Sequence, residues 1–193
     1  MESTSIIMAT IRAFLAVSVE GSTQIRSVLR KFSKMGRAVR AVSPDGLHLT
    51  LKFFGDIDVN DVSPVSEHVQ LACRDAEPFD LRLKGLGAFP HLKRPSVIWA
   101  GVEDGEPLVT LAERIIADVE NLGFPREQRS FIPHLTLARI KQRPPGELSQ
   151  LVESHAATVF AECPINAVHL YQSELKTSGP IYTKLASFSL GES

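Results

Sequence analysis

The stretch Leu47-His48-Leu49-Thr50-Leu51 returns later in the chain as Pro133-His134-Leu135-Thr136-Leu137. Each copy carries a His and a Thr two positions apart inside an apolar run. Because side chains alternate between the two faces of a β-strand, the His and the Thr of each copy point the same way. The leucines point to the opposite face and into a core. Two such strands facing one cleft would offer two imidazoles and two hydroxyls to one small ligand.

Apolar periodicity predicts the elements around these two strands. Short apolar runs predict strands, and an apolar residue every three or four positions predicts helices. The predicted strands cover residues 11–17, 47–54, 79–83, 97–102, 133–140, 159–163, 165–175 and 182–190. The predicted helices begin after Ser22, cover 59–74, extend from about 104 to 122, and include a short one at 148–152. Late strands follow one another directly, which favours an α+β fold with largely antiparallel sheets.

The length suits one domain, residues 1–193, made of two lobes. Both halves share an outline of strand, helix and His strand. This outline indicates an internal duplication that places the two His strands about a pseudo-twofold axis. Residues 1–7 are expected to form a flexible tail.

Composition indicates a cytoplasmic protein, and we expect a monomer. Hydrophobic residues make up 44% of the chain, charged residues 22%, and the formal net charge is −1. That balance is normal for a soluble protein and argues against salt-driven coating of nucleic acid. No apolar run approaches the roughly 18 residues of a membrane span, and the N-terminus lacks a signal-peptide pattern. Cys73 and Cys163 are expected to be reduced, buried thiols.

Two histidines and two threonines suit in-line displacement at phosphorus. Histidine titrates near pH 6.5, so one imidazole can accept a proton from water while the other protonates the departing oxygen. Threonine hydroxyls can hold the phosphoryl oxygens between them. No metal is expected, because no Asp, Glu or Cys completes a ligand set near either motif. A nucleotide 2′,3′-cyclic phosphate suits such a site, since its ring strain eases opening.

Five segments together resemble one known family. The two His-x-Thr-x motifs look like those of the 2H phosphoesterase superfamily, and the wider pattern resembles its bacterial and archaeal RNA 2′,3′-cyclic phosphodiesterases, also called 2′-5′ RNA ligases. The segments are Arg12-Ala13-Phe14-Leu15-Ala16, residues 47–55, residues 131–139, Ser173-Glu174-Leu175 and Gly179-Pro180-Ile181-Tyr182.

This resemblance implies a bilobal fold in which two antiparallel sheets line a central cleft, with helices outside. It implies hydrolysis of 2′,3′-cyclic phosphates on RNA ends or nucleotides to 2′-phosphomonoesters, a reversible 2′-5′ joining of RNA ends, and no cofactor. His48 would be the proton donor to the leaving O3′, and His134 the proton acceptor from water. Thr50 and Thr136 would bind the phosphate.

Other candidate residues have two interpretations each. Arg139 falls on the face opposite His134 by strict alternation, so either a bulge re-aims it towards the phosphate or it serves structure. Lys52 shares the His48 face in an ideal strand and could attract phosphate, or it could be a solvated strand end. Three aromatic residues could stack a base or pack in the core: Phe14, Phe89 and Trp99. Four cations could rim an RNA-binding cleft or be scattered surface charge: Arg37, Arg40, Lys141 and Arg143.

Two other functions remain open from the sequence. One is a non-catalytic module that binds RNA ends in the same cleft. The other is a related 2H enzyme that acts on a different cyclic phosphate, such as ADP-ribose 1″,2″-cyclic phosphate.

Overall fold

The computed structural model describes residues 9–128, 130–177 and 179–191. Its strands are β1 (Thr10–Ser18), β2 (Val39–Ala41), β3 (His48–Asp58), β4 (Phe79–Phe89), β5 (Val97–Glu103), β6 (His134–Ile140), β7 (Val159–Ile165), β8 (Ala167–Lys176) and β9 (Gly179–Ser189). Its helices are α1 (Thr23–Ser33), α2 (Val62–Arg74), α3 (Glu106–Glu120) and α4 (Glu147–Ser154).

The strands form two antiparallel sheets with closely related orders. The first sheet has the order β3-β1-β8-β9, and the second has the order β2-β6-β5-β4-β7. In each sheet the strand that carries a His-x-Thr motif pairs with a central strand, β3 with β1 and β6 with β5. The two sheets meet where β3 lies against β6. The predicted α+β class with two antiparallel sheets is confirmed.

Helix α1 illustrates how the local sequence sets the packing. The Ser22 hydroxyl accepts a hydrogen bond from the Ile25 amide at 3.1 Å and caps the first turn, as predicted. Ile25, Val28, Leu29 and Phe32 recur at helical spacing and are all buried. This apolar stripe packs the helix against the second sheet, where it contacts β2, β6 and β7.

Two strands are longer than predicted, and each continues through a glycine. The first His strand continues through Gly55 to Asp58, and the strand that begins at Phe79 continues through Gly85 to Phe89. Both glycines have positive φ angles, +78° and +73°, and the strand register shifts beside each of them. A residue without a Cβ adopts such a backbone readily, so each strand absorbs a bulge and continues.

Two further differences concern edge strands. Pro164 was expected to separate two strands, but it lies within β7, and Asn166 separates β7 from β8. Because β7 is at the edge of its sheet, a residue without a backbone N–H is tolerated there. The three-residue strand β2 was not predicted, since it is too short to show any periodicity.

Both cysteines are free and buried, as predicted. Burial raises the pKa of the Cys73 thiol to about 12 and that of Cys163 to about 11, so both are protonated at neutral pH. No helix in the described part of the chain is long and apolar enough to cross a membrane. The expected tail at residues 1–7 lies outside the described residues. The single bilobal domain, the cytoplasmic location and the monomeric state stay predictions.

Candidate active site

The alternation of each motif divides its residues between the cleft and the core. His48 and Thr50 are half-buried on the cleft face of β3, whereas Leu49 and Leu51 are 0% and 3% exposed. On β6, His134 and Thr136 are likewise half-buried on the cleft face, and Leu135 and Leu137 are fully buried. The leucines therefore anchor both strands in the core and fix which way the polar side chains point.

The two imidazoles are held in the same way. His48 Nδ1 is 2.7 Å from the carbonyl oxygen of Gly46, and His134 Nδ1 is 2.8 Å from that of Ile132. Each carbonyl belongs to the residue two positions earlier and can only accept a hydrogen bond, so Nδ1 carries the hydrogen. In the neutral rings Nε2 is then the nitrogen with a lone pair, and it is the atom that can exchange a proton with a ligand.

Aromatic rings of the first sheet surround His48. The ring centroids of Phe14 and Tyr182 lie 4.9 and 5.0 Å from that of His48, and Phe14 also stacks on Tyr171 at 5.3 Å. Phe14 is only 3% exposed. Its ring thus packs beside the imidazole and has little face left for a base.

Aromatic rings of the second sheet lie beside His134. The Phe89 ring meets His134 edge-on at 5.0 Å and also contacts Trp99 at 5.1 Å. Trp99 pairs in register with Thr136 on the neighbouring strand. Both aromatics are half-buried, so they pack against the motif and also border the cleft.

A β-bulge follows each motif at the same offset. In β3 the register with β1 jumps over Leu51, and in β6 the register with β5 jumps over Leu137. Two consecutive buried residues result in each strand, which reverses the alternation beyond them. Arg139 therefore returns to the cleft face, as the bulge interpretation expects, and its contact with phosphate stays a prediction.

The equivalent bulge in β3 moves Lys52 out of the cleft. Lys52 is 4% exposed, and its ammonium donates a hydrogen bond to the carbonyl oxygen of Pro125 at 2.6 Å. The idea that it attracts phosphate, or forms a solvated strand end, is therefore wrong. Phe53 takes the place on the cleft side that corresponds to Arg139, and the Arg12 guanidinium lies over its ring, 4.7 Å from the centroid.

A pocket of about 410 Å³, here called the basic pocket, opens beside His48. It brings together four of the predicted site residues, whereas His134 and Thr136 lie outside its lining. Of the four proposed rim cations, Arg40 and Lys141 line it, and Arg37 and Arg143 do not. The lining comprises Arg12, Phe14, Arg40, His48, Thr50, Phe53, Arg139, Lys141, Ser173, Leu175, Lys176, Gly179, Pro180 and Tyr182.

The electrostatics of the site favour the neutral form of His48 in the free protein. Burial is the largest cause that lowers its pKa below 6.5, and electrostatic interactions with Arg139 and His134 lower it further. The hydrogen bond to the Gly46 carbonyl raises the pKa and only partly offsets these effects. Arg139 lines the same pocket as His48, and β3 lies against β6, so the second sheet presents this guanidinium to the region around His48.

Replacing Arg139 with glutamine is expected to raise the pKa of His48, because the guanidinium charge that lowers this pKa is removed. The rise should be partial, since burial remains the largest cause. An NMR titration of the imidazole resonances measures it directly. Arg143→Gln, which lies outside the basic pocket, is the matched control and should leave the titration of His48 unchanged. An equal pKa in wild type and Arg139→Gln would contradict the close approach of this guanidinium.

Several features of the site carried no recognisable signal in the sequence. Tyr171 lies outside every motif of the sequence, and Tyr182 lies only within the C-terminal segment that resembles the family. Arg12 was likewise seen only within the resembling first strand. The strand pairing brings them together, because β8 and β9 follow β1 in the first sheet. Among the described residues, no three His, Cys, Asp or Glu side chains are grouped closely enough to hold a metal ion.

Comparison with known proteins supports the family resemblance found in the sequence. The family model of the 2′-5′ RNA ligase superfamily matches residues 17–177. A curated relative from Aquifex aeolicus, an RNA 2′,3′-cyclic phosphodiesterase, is 33% identical over 95% of this chain and 100% of its own. A relative of the same name from Methanothermobacter thermautotrophicus is 35% identical over 93% of this chain and 99% of its own.

Solved structures share the fold. The crystal structure of TT0787 from Thermus thermophilus has a TM-score of 0.77 and 33% identity, covering 94% of this chain and 99% of that one. Escherichia coli LigT, solved with 3′-AMP, has a TM-score of 0.74 over 95% of this chain and 100% of its own; at 23% identity it supports the fold alone. The chain is an enzyme, and it belongs to the 2′-5′ RNA ligase superfamily.

Proposed function

We propose that the protein hydrolyses 2′,3′-cyclic phosphodiesters at RNA ends or on nucleotides to 2′-phosphomonoesters by metal-free acid–base catalysis. The observation that supports this best is the matched setting of His48 and His134. Each donates Nδ1–H to a backbone carbonyl and keeps Nε2 for proton exchange. The names of the curated relatives, which are RNA 2′,3′-cyclic phosphodiesterases, give independent support.

In the proposed reaction His134 Nε2 takes a proton from water as the water oxygen attacks phosphorus. The bond between phosphorus and O3′ breaks on the opposite side, and protonated His48 gives its Nε2 proton to O3′. The products are a 2′-phosphate and a free 3′-hydroxyl, and solvent then resets both rings. Thr50 and Thr136 donate hydrogen bonds to the phosphoryl oxygens, where negative charge increases in the transition state.

Bound substrate would raise the pKa of His48, which its role as proton donor requires. The cyclic phosphodiester is an anion, and beside Arg139 and His48 it offsets the positive charge that lowers the pKa of His48. Substrate binding therefore favours the protonated ring. Phe14 packs beside the imidazole and restricts its rotation.

The same chemistry accounts for 2′-5′ joining of RNA ends. The 5′-hydroxyl of a second RNA takes the place of water, His134 accepts its proton, and O3′ again leaves with a proton from His48. A 2′-5′ phosphodiester and a 3′-hydroxyl result. Because one phosphodiester is exchanged for another, the reaction can run in both directions.

Hydrolysis of adenosine 2′,3′-cyclic phosphate in excess EDTA tests the proposal, with the 2′- and 3′-phosphate products separated by chromatography. We expect full activity in EDTA, a 2′-phosphate product and a bell-shaped dependence of kcat/KM on pH. Loss of activity in EDTA would contradict metal-free catalysis, and a 3′-phosphate product would show that O2′ leaves. Tight binding of RNA ends without turnover would favour the non-catalytic module. A strong preference for ADP-ribose 1″,2″-cyclic phosphate would favour the other 2H enzyme.

A further inference from the structure

The basic pocket holds more positive charge than a single cyclic phosphate requires. Among the described residues that line it, none is a carboxylate and five are cations: Arg12, Arg40, Arg139, Lys141 and Lys176. The chain as a whole has a formal net charge of −1, so this concentration of positive charge is local. A nucleoside 2′,3′-cyclic phosphate carries one negative charge, which is less than the charge that lines the pocket.

We propose that the basic pocket binds the 5′-phosphate of the terminal nucleotide, the phosphate that joins it to the preceding residue of an RNA chain. This inference rests on the proposed function. The preferred substrate is then a nucleotide with two phosphates, one cyclic and one at the 5′ position.

The position of the pocket relative to the two histidines supports placing the 5′-phosphate there. His48 and Thr50 line the pocket, whereas His134 and Thr136 do not. With His48 as the donor to O3′, the ribose that carries O3′ lies on the His48 side of the phosphorus. The 5′ carbon belongs to the same ribose, so the RNA chain continues on this side. The opposite side, next to His134, remains open to water or to an incoming 5′-hydroxyl.

Two of the pocket cations have contacts within the protein, and the contact of Lys176 with Glu174 offsets part of its charge. The Arg12 guanidinium lies over the Phe53 ring, and the Lys176 ammonium is 2.9 Å from a carboxylate oxygen of Glu174. The backbone amide of Lys141 donates a hydrogen bond to the carbonyl of Ala38 at 2.8 Å, which fixes this residue just beyond β6. Its exposed ammonium can be removed by substitution while that backbone link is kept.

Binding of product analogues tests the subsite without requiring turnover. Calorimetry compares adenosine 2′-phosphate, adenosine 2′,5′-bisphosphate and adenosine 5′-phosphate alone. We expect the bisphosphate to bind about tenfold or more tightly than the 2′-phosphate, as a charge-assisted contact predicts, and its affinity to fall more steeply with salt. Lys141→Gln should reduce this ratio towards one, and Arg143→Gln, outside the pocket, should leave it unchanged.

Equal affinities for the 2′-phosphate and the bisphosphate would overturn the inference, as would a ratio that Lys141→Gln does not change. Binding of adenosine 5′-phosphate as tight as that of the bisphosphate would also overturn it, because the gain would then not depend on the 2′-phosphate site. The hydrolysis assay in EDTA tests the proposed function separately, so failure of one proposal can be told from failure of the other.

Discussion

Hydrolysis of adenosine 2′,3′-cyclic phosphate is expected to fall by about 10²- to 10⁴-fold in kcat/KM when either His48 or His134 is replaced with alanine. Each variant removes the group that transfers a proton at one end of the in-line reaction. Because both rings are needed in one transition state, the double variant should lose little more than either single variant. Initial rates at several pH values, with the folded state checked by circular dichroism, measure these effects.

A substrate with a good leaving group separates the two roles. In a p-nitrophenyl phosphodiester the departing phenolate needs no proton, so a general acid contributes little to its hydrolysis. We expect His48→Ala to be much less damaging with this substrate than with the cyclic phosphate, whereas His134→Ala should be damaging with both. If His134→Ala is the less damaging change with this substrate and His48→Ala is damaging with both, His134 is the proton donor and His48 the acceptor.

Controls distinguish lost chemistry from lost structure. Asparagine at position 48 or 134 can still donate a hydrogen bond to the carbonyl of Gly46 or Ile132 but cannot act as an acid or base. His→Asn should therefore be as inactive as His→Ala while unfolding at a temperature closer to wild type. His68→Ala, on α2, removes an imidazole outside the site and should keep full activity. Substantial activity in a folded His134→Asn protein would refute its role as proton acceptor.

Valine in place of Thr50 or Thr136 is expected to lower kcat by about 10²- to 10³-fold, in line with loss of one preorganised donor to a developing negative charge. Valine keeps the shape and the strand preference of threonine and removes only the hydroxyl. The effect should be larger on kcat than on KM, because the charge on the phosphoryl oxygens is greatest in the transition state. Steady-state kinetics on each single variant gives both constants.

Thr183→Val is the matched control for these variants. Thr183 is an exposed strand residue on the face of β9 opposite Tyr182, away from the cleft. The same chemical change there should leave kcat and KM unchanged. If Thr50→Val and Thr136→Val behave like this control, their hydroxyls do not contact the reacting phosphate.

Most of the architecture follows from short-range patterns in the chain. The stripe from Ile25 to Phe32 predicts α1 with its cap, and the alternation in each motif separates buried leucines from cleft-facing polar residues. These features depend on neighbours a few positions apart, which a sequence displays directly. The α+β class follows from the order of such elements.

The details that shape the site depend on register, which the sequence does not display. Strict alternation places Lys52 in the cleft and Arg139 in the core, and a bulge after each motif reverses both positions. Nothing in Leu51-Lys52 or Leu137-Ala138 marks the extra residue, because pairing with the neighbouring strand determines it. The packing of Tyr182 on His48 depends in the same way on the pairing of distant strands.

The bulge in each motif strand brings one further residue to the cleft face, and this residue differs between the two strands. The fifth residue after each histidine enters the cleft, and this residue is Phe53 in one half and Arg139 in the other. Both residues line the basic pocket, so the two equivalent positions contribute different chemistry to it, a guanidinium from β6 and an aromatic ring from β3. An RNA end is itself asymmetric, with a chain on one side of the phosphorus and an open face on the other. Two strands with the same pattern therefore give one pocket two chemically different walls, which an asymmetric ligand can distinguish.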